Sequence, residues 1–195
     1  METNKKKKQI VVFASGNGSN AENIIKYFRA SDADAEVGVV ICNKAGAGVL
    51  GRAERLGVES IVMSRAEIND ETLMLSTLKK YDTDLIVLAG FLLKVPEFMI
   101  QRYPDRIVNI HPALLPKYGG KGMYGHHVHE AVVAAGERET GITIHYVNEN
   151  YDDGAIIFQA KTEVAAGDTP DDVADKIHIL EQRYFPEVLK KTFYS

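Results

Sequence analysis

From the amino end, the chain alternates between short β-branched runs and stretches with helical spacing. The runs are QIVVFA (9–14), EVGVVIC (36–42), ESIVM (59–63), DLIVLA (84–89) and RIVNI (106–110). Between them, apolar residues recur at helical intervals over Asn20–Arg29, Ala47–Leu56, Glu71–Tyr81 and Glu97–Tyr103. Pro96 suits the first turn of the last helix, where its missing N–H is not needed. Short strands that are apolar almost throughout, separated by helices, predict a parallel sheet covered on both faces.

The pattern changes after residue 110. A loop runs from His111 to about Gly125, and a helix is predicted from His126 to Ala135. Two strand-like runs follow, GITIHYV (141–147) and AIIFQAK (155–161). Too few residues separate them for a parallel crossover, so they should pair antiparallel. A long amphipathic helix then starts near Pro170, with Asp168 or Thr169 as its cap, and runs to about Lys190. Pro186 should bend or break it. The fold class is therefore α/β: a doubly wound, mostly parallel sheet with an antiparallel C-terminal strand pair and a long C-terminal helix. With no internal repeat and no low-complexity linker, residues 1–195 read as one domain, and 1–8 as a flexible, solvated tail that contains the run Lys5–Lys8.

Charge and composition narrow the function classes. The net charge of −4 argues against a general nucleic-acid binder, which needs a basic balance. No apolar stretch approaches the roughly 18 residues of a membrane span, and the run Ile10–Ala14 is too short for a signal peptide, so a cytoplasmic protein is expected. The single cysteine, Cys42, excludes an internal disulfide and a multi-cysteine metal site. It falls in an apolar run and reads as a small buried residue.

Two segments carry candidate chemistry. The first strand empties into SGNGSNAENI (15–24), a strand–glycine turn–helix arrangement that aims free backbone N–H groups at an anion. Gly16, Gly18 and Ala21 match the dinucleotide spacing, but that reading also needs an acidic residue at the end of the second strand. Cys42-Asn43-Lys44 stands there instead. What remains is a tight loop sized for a single phosphate, with Ser19 and Asn20 as extra donors, or a plain glycine turn capped by Ser19. The second segment is NIHPALLPKY (109–118), at the carboxyl end of strand five, the edge where doubly wound sheets bind ligands. Asn109 and His111 are two apart, so their side chains lean the same way in extended chain. An amide donor beside an imidazole can stabilise a developing oxyanion and move a proton. The carboxylate such an imidazole needs could be Asp152 or Asp153, and spacing does not choose between them.

These segments, with NKAGAG (43–48), LAGFL (88–92), TIHYVNENYDDGAIIFQ (143–159) and GDTPDDVADKIHILEQRYFP (167–186), occur in an order that resembles the phosphoribosylglycinamide formyltransferases, folate-dependent enzymes of purine (IMP) synthesis. The resemblance covers nearly the whole chain. It implies transfer of a formyl group from 10-formyltetrahydrofolate, the co-substrate, to the amine of phosphoribosylglycinamide, with no metal. By the same resemblance Asn109, His111 and Asp152 are the catalytic group, Asp152 favouring the charged imidazole. Gly18, Ser19 and Asn20 would bind the substrate phosphate, and Glu181 the glycinamide end. Leu92, Leu93, Lys94 and Val95, with the loop Asn148, Glu149, Asn150 and Tyr151, would face the folate. Partners would be these small molecules alone, with neither nucleic acid nor membrane, in a monomer or homodimer.

Three features depart from the family's pattern. GGKGMYGHHVHEAV (119–132) is longer than the usual loop. Its His126, His127 and His129 invite a metal reading, but without an acidic or cysteine partner nearby they read better as a loop lining the active site, with His127 or His129 near the substrates. The stretch RAEINDET (65–72) is shorter than in the family, and no basic residue for the folate tail is evident there. The chain also ends soon after the last helix. Among rivals, methionyl-tRNA formyltransferase shares the histidine–proline motif but carries a basic tRNA domain for which no residues remain here. Formyltetrahydrofolate hydrolase usually has a preceding regulatory domain. A non-catalytic phosphosugar-binding domain would share the glycine loop but give no reason for Asn109, His111 and Asp152 together.

Overall fold

In this computed structural model residues 6–194 are described. They form two compact units, Lys94–Val188 and the remainder. Of the expected tail, residues 1–5 lie outside the described residues, and Lys8 is the first residue of strand one.

The first unit carries β1 (Lys8–Ala14), α1 (Ser19–Ala30), β2 (Ala35–Cys42), α2 (Gly48–Arg55), β3 (Glu59–Val62), α3 (Arg65–Asn69), α4 (Glu71–Lys80) and β4 (Thr83–Leu88). The strands lie in the order β3-β2-β1-β4, and every pair is parallel. Val11–Ala14, Val39–Cys42 and Leu85–Val87 are buried without alternation, which requires cover on both faces of the sheet. Ile24 and Phe28 of α1, Val49 and Ala53 of α2, and Met74 and Leu78 of α4 are the buried sides of those helices. Helix α3 falls where the sequence reads as a shortened connection. Ser64 opens it with a capping box: its hydroxyl accepts from the Glu67 N–H while the Glu67 carboxylate accepts from the Ser64 N–H.

The second unit carries α5 (Glu97–Arg102), β5 (Ile107–His111), α6 (His126–Ala134), β6 (Glu139–Tyr146), β7 (Ile156–Glu163) and most of α7 (Pro170–Phe193). Pro96 is the residue just before α5, not in its first turn. Strands β6 and β7 are antiparallel as expected, and β5 also pairs antiparallel with β6. The seven strands, mostly parallel with antiparallel pairing from β5 to β7, and the long final helix are the expected fold class. Two glycines let the β6–β7 hairpin close. A Cβ at Gly141 would lie 1.9 Å from the Ala160 carbonyl oxygen, and one at Gly154 would lie 1.7 Å from that of Tyr146. Thr169, rather than Asp168, caps α7: its hydroxyl accepts from the Asp172 N–H, and the Asp172 carboxylate accepts from the Thr169 N–H and hydroxyl. Asp168 instead accepts from the Ala165 N–H and pairs with Lys176. The helix runs through Pro186 and does not end there. Among the described residues no helix is long and apolar enough to cross a membrane.

Candidate active site

In the second unit the antiparallel register sets Asn109 opposite His145 and His111 opposite Thr143. Polar residues at alternate positions of two neighbouring strands thus share one face, while Val108, Ile110, Ile142 and Ile144 are packed in the core. His111 is 3% exposed, not a surface residue. Its Nδ1 lies 3.5 Å from Oδ2 of Asp152, and its Nε2 lies 2.7 Å from the Tyr118 carbonyl oxygen. Both neighbouring atoms are hydrogen-bond acceptors.

Asp152 is the acid that meets the histidine. Asp153 instead accepts from the side-chain amide of Asn150. Asp152 takes a left-handed φ of 53° in the β6–β7 connection, and its Oδ1 lies 3.7 Å from Nε2 of His145. Its Oδ2 also accepts from the Gly120 N–H at 2.9 Å. One carboxylate therefore faces two buried imidazoles and holds the loop that follows Tyr118. Tyr118 is itself in left-handed backbone, with φ 55°, and its hydroxyl donates to Glu137 at 2.9 Å.

His145 carries a position that sequence reasoning left without a role. Its Nε2 lies 3.1 Å from Nδ2 of Asn109, and its Nδ1 lies 2.8 Å from the Tyr146 carbonyl oxygen. Burial pushes its pKa down, opposed by the Tyr146 carbonyl and the Asp152 charge, and His111 lowers it further. Thr143 was also unassigned. Fully buried, it donates to the Ala113 carbonyl at 2.7 Å and accepts from the Leu115 N–H at 3.0 Å and from Gln159 Nε2 at 2.9 Å. It ties the chain just after His111 down onto β6. The available signal was the sequence ITIHY itself: two polar residues, two apart, in an otherwise apolar strand.

Of the loop histidines, His129 is buried on α6. Its Nδ1 has no hydrogen-bond partner among the described residues, and burial, then His126 and His111, push its pKa down. His126 is half-exposed, with Glu130 and Asp171 each 3.7 Å away, and His127 Nδ1 lies 3.3 Å from Glu130. No group of three or more His, Cys, Asp or Glu among the described residues is placed to hold a metal ion. Glu181 lies on α7, mostly buried, with His178 Nδ1 at 4.0 Å. In the connection after β6, Glu149, Asn150 and Tyr151 are exposed and Asn148 is intermediate; Val95 is buried and Lys94 exposed.

The glycine loop belongs to the first unit. Gly18 has φ 82° and precedes α1, which begins at Ser19, so Ser19 is a helical residue rather than the cap. A Cβ at Gly18 would lie 2.5 Å from the Val49 side chain, so only glycine fits on both counts. The N-terminus of α2 packs on the same turn: the Val49 N–H donates to the Gly16 carbonyl at 3.1 Å. Arg52 steadies the loop, donating from Nε to the Asn17 carbonyl at 2.8 Å and pairing with Glu22. Lys26 and Arg52 together hold the Glu22 carboxyl down at about 2. At the missing acidic position of the dinucleotide pattern, Asn43 accepts from the Ser15 hydroxyl at 2.5 Å, and that hydroxyl accepts from the Leu92 N–H at 2.9 Å. Leu92 is 41% exposed, and Leu93 is intermediate.

In the second unit an amide, two imidazoles and the carboxylate of the β6–β7 connection meet at the β5–β6 pair, and the fold is that of an α/β group-transfer enzyme. The chain belongs to the formyl transferase family, whose model matches residues 8–189. It is 38% identical over 189 residues to the chloroplastic phosphoribosylglycinamide formyltransferase of Arabidopsis thaliana, with 94% of this chain and 65% of that protein covered. The chain thus spans less than two thirds of that plant relative. It is 35% identical to the phosphoribosylglycinamide formyltransferase of Bacillus subtilis (strain 168), with 94% of each covered. The crystal structure of phosphoribosylglycinamide formyltransferase from Bacillus halodurans superposes with a TM-score of 0.85 at 34% identity, again over 94% of each chain.

Proposed function

We propose that this protein transfers the formyl group of 10-formyltetrahydrofolate to the amine of 5′-phosphoribosylglycinamide, a step of purine (IMP) synthesis. The observation that carries this reading is the constellation of Asn109, His111, His145 and Asp152, in a chain of the formyl transferase family. The neutral amine attacks the formyl carbon and a tetrahedral intermediate forms, its former carbonyl oxygen now anionic. An N–H of the Asn109 amide donates to that oxygen. His111, donating from both nitrogens, keeps one on Asp152. Its other N–H, which here points at the Tyr118 carbonyl, is the one a developing oxyanion or the departing folate nitrogen would take. Collapse restores the carbonyl and releases tetrahydrofolate, the proton lost by the amine matching the one gained by the folate nitrogen.

Gly18, Ser19 and Asn20 bind the substrate phosphate through backbone N–H groups and polar side chains at the start of α1, where the helix dipole favours an anion. Glu181 meets the glycinamide end. Exposed Leu92 offers an apolar face for the flat pterin, while Leu93, Lys94, Val95 and the connection Asn148–Tyr151 supply the rest of the folate-facing backbone. In this reading residues 1–195 work as one cytoplasmic formyltransferase domain, as a monomer or homodimer, on small molecules alone. The test follows loss of 10-formyltetrahydrofolate with and without phosphoribosylglycinamide. Consumption only with the acceptor is expected. Consumption without it would assign a hydrolase, and none in either case would end both readings.

A further inference from the structure

Within hydrogen-bond distance the two ring nitrogens of His145 have partners of opposite kind, the Asp152 carboxylate lying farther off, 3.7 Å from Nε2. The Tyr146 carbonyl, 2.8 Å from Nδ1, can only accept, so Nδ1 carries the proton. The Asn109 Nδ2 group, 3.1 Å from Nε2, can only donate, so Nε2 is bare. Both contacts specify the same species, the neutral imidazole protonated on Nδ1. Its burial, at 2% exposure, disfavours the charged form. The charged and titratable groups facing it are Asp152, from the β6–β7 connection, and His111, from β5.

We infer that neutral His145 is a positioning residue that fixes the polarity of the Asn109 amide. This rests on the reading of Asn109 as the oxyanion donor. The two ends of an asparagine amide are nearly the same size, so a half-turn about its last bond costs little sterically. Flipped, the side chain presents a carbonyl oxygen where an anion develops, and attraction becomes repulsion. Accepting one Nδ2 hydrogen at Nε2 prevents this, and because the amide is planar it also fixes the direction of the other hydrogen. Protonated His145 would present an N–H instead, which the Asn109 carbonyl would turn to meet. Acidification should therefore disarm Asn109 through His145, in addition to protonating the substrate amine.

Two variants separate this role from packing. His145→Phe keeps a buried ring and removes the acceptor. His145→Gln can accept from Asn109 with its oxygen while its own NH2 faces Asp152. His145→Phe should lower kcat about a hundredfold, the usual effect of losing one oxyanion donor, with KM for phosphoribosylglycinamide unchanged. His145→Gln should rescue turnover and remove the acid limb contributed by the imidazole. Equal losses of kcat in both variants would overturn the inference. Long-range 1H–15N spectra of the unmodified protein give a readout independent of catalysis. The His145 ring should be protonated on Nδ1 only, and the Asn109 side-chain resonances should shift as the ring titrates. An Nε2-protonated tautomer would overturn it even if both variants misfold. An inactive parent protein would defeat the formyl-transfer reading while these spectra still decide the amide's polarity.

Discussion

The backbone N–H of Gly120 donates to Oδ2 of Asp152 across 2.9 Å, so the carboxylate facing His111 also fastens the loop beyond Tyr118. Chemistry and loop order share one side chain and can be separated by substitution. Asp152→Asn keeps an oxygen for Gly120 but removes the charge; Asp152→Ala removes both. Both should lower kcat by roughly 10²–10⁴, the range for a group that governs proton transfer. Only Asp152→Ala should increase tryptic cleavage at Lys121. Equal cleavage of the two variants would show that the contact does not hold the loop.

Asn109→Ala deletes the amide and leaves the histidine–carboxylate pair. Turnover should fall about a hundredfold, equivalent to ~3 kcal/mol in the barrier. Calorimetric affinity for phosphoribosylglycinamide should hold, because the loop proposed for its phosphate does not include Asn109. Unchanged steady-state turnover would remove Asn109 from the mechanism.

Gly18→Ala meets two obstacles, a φ of 82° and a Cβ 2.5 Å from the Val49 side chain. Left-handed backbone alone costs a non-glycine residue ~1–3 kcal/mol, and the crowding adds to it. Urea unfolding should show at least that loss. KM for phosphoribosylglycinamide should rise while the folate KM stays put, since the distortion is confined to the turn before α1.

Glu22 gives a pH signature. Its carboxyl lies at about 2 in the folded protein against an ordinary 4.5, held down by Lys26 and Arg52. A lowered carboxylate contributes stability in full above the unfolded value and loses it as pH falls through the folded one. The stability gap between the parent and Glu22→Gln should be constant from neutral pH to about 5. It should then shrink between 4.5 and 2, measured by urea unfolding at each pH. A gap that does not change over that window would mean the pair contributes nothing.

The parallel half of the fold was legible because its strands are buried on both faces, and Val11–Ala14 and Val39–Cys42 carry that burial directly as unbroken apolar runs. Helix α3 was missed because it is five residues long with only Ile68 buried, although Ser64 and Glu67 already spelled its capping box. Asn109 and His111 stood out as candidates because they interrupt an apolar run at a strand end. The choice between Asp152 and Asp153 was not legible, since it depends on a left-handed backbone angle at Asp152. His145 escaped assignment because its partner is set by cross-strand register, which a single sequence does not display. Pro186 does not break the helix, because a long helix tolerates one missing N–H bond that would end a shorter, freer one.

The hairpin between β6 and β7 limits how this protein can be redesigned. Gly141 and Gly154 each leave less than 2 Å between an added methyl and a carbonyl oxygen of the neighbouring strand. Randomising either codon and selecting for purine-independent growth should return glycine alone. Attempts to change acceptor preference are better aimed at Lys121, Met123 and Tyr124, where the surrounding loop bends on glycines with open space around them. The stretch that presents the acid is the molecule's least negotiable text, and the loop it fastens is the part free to be rewritten.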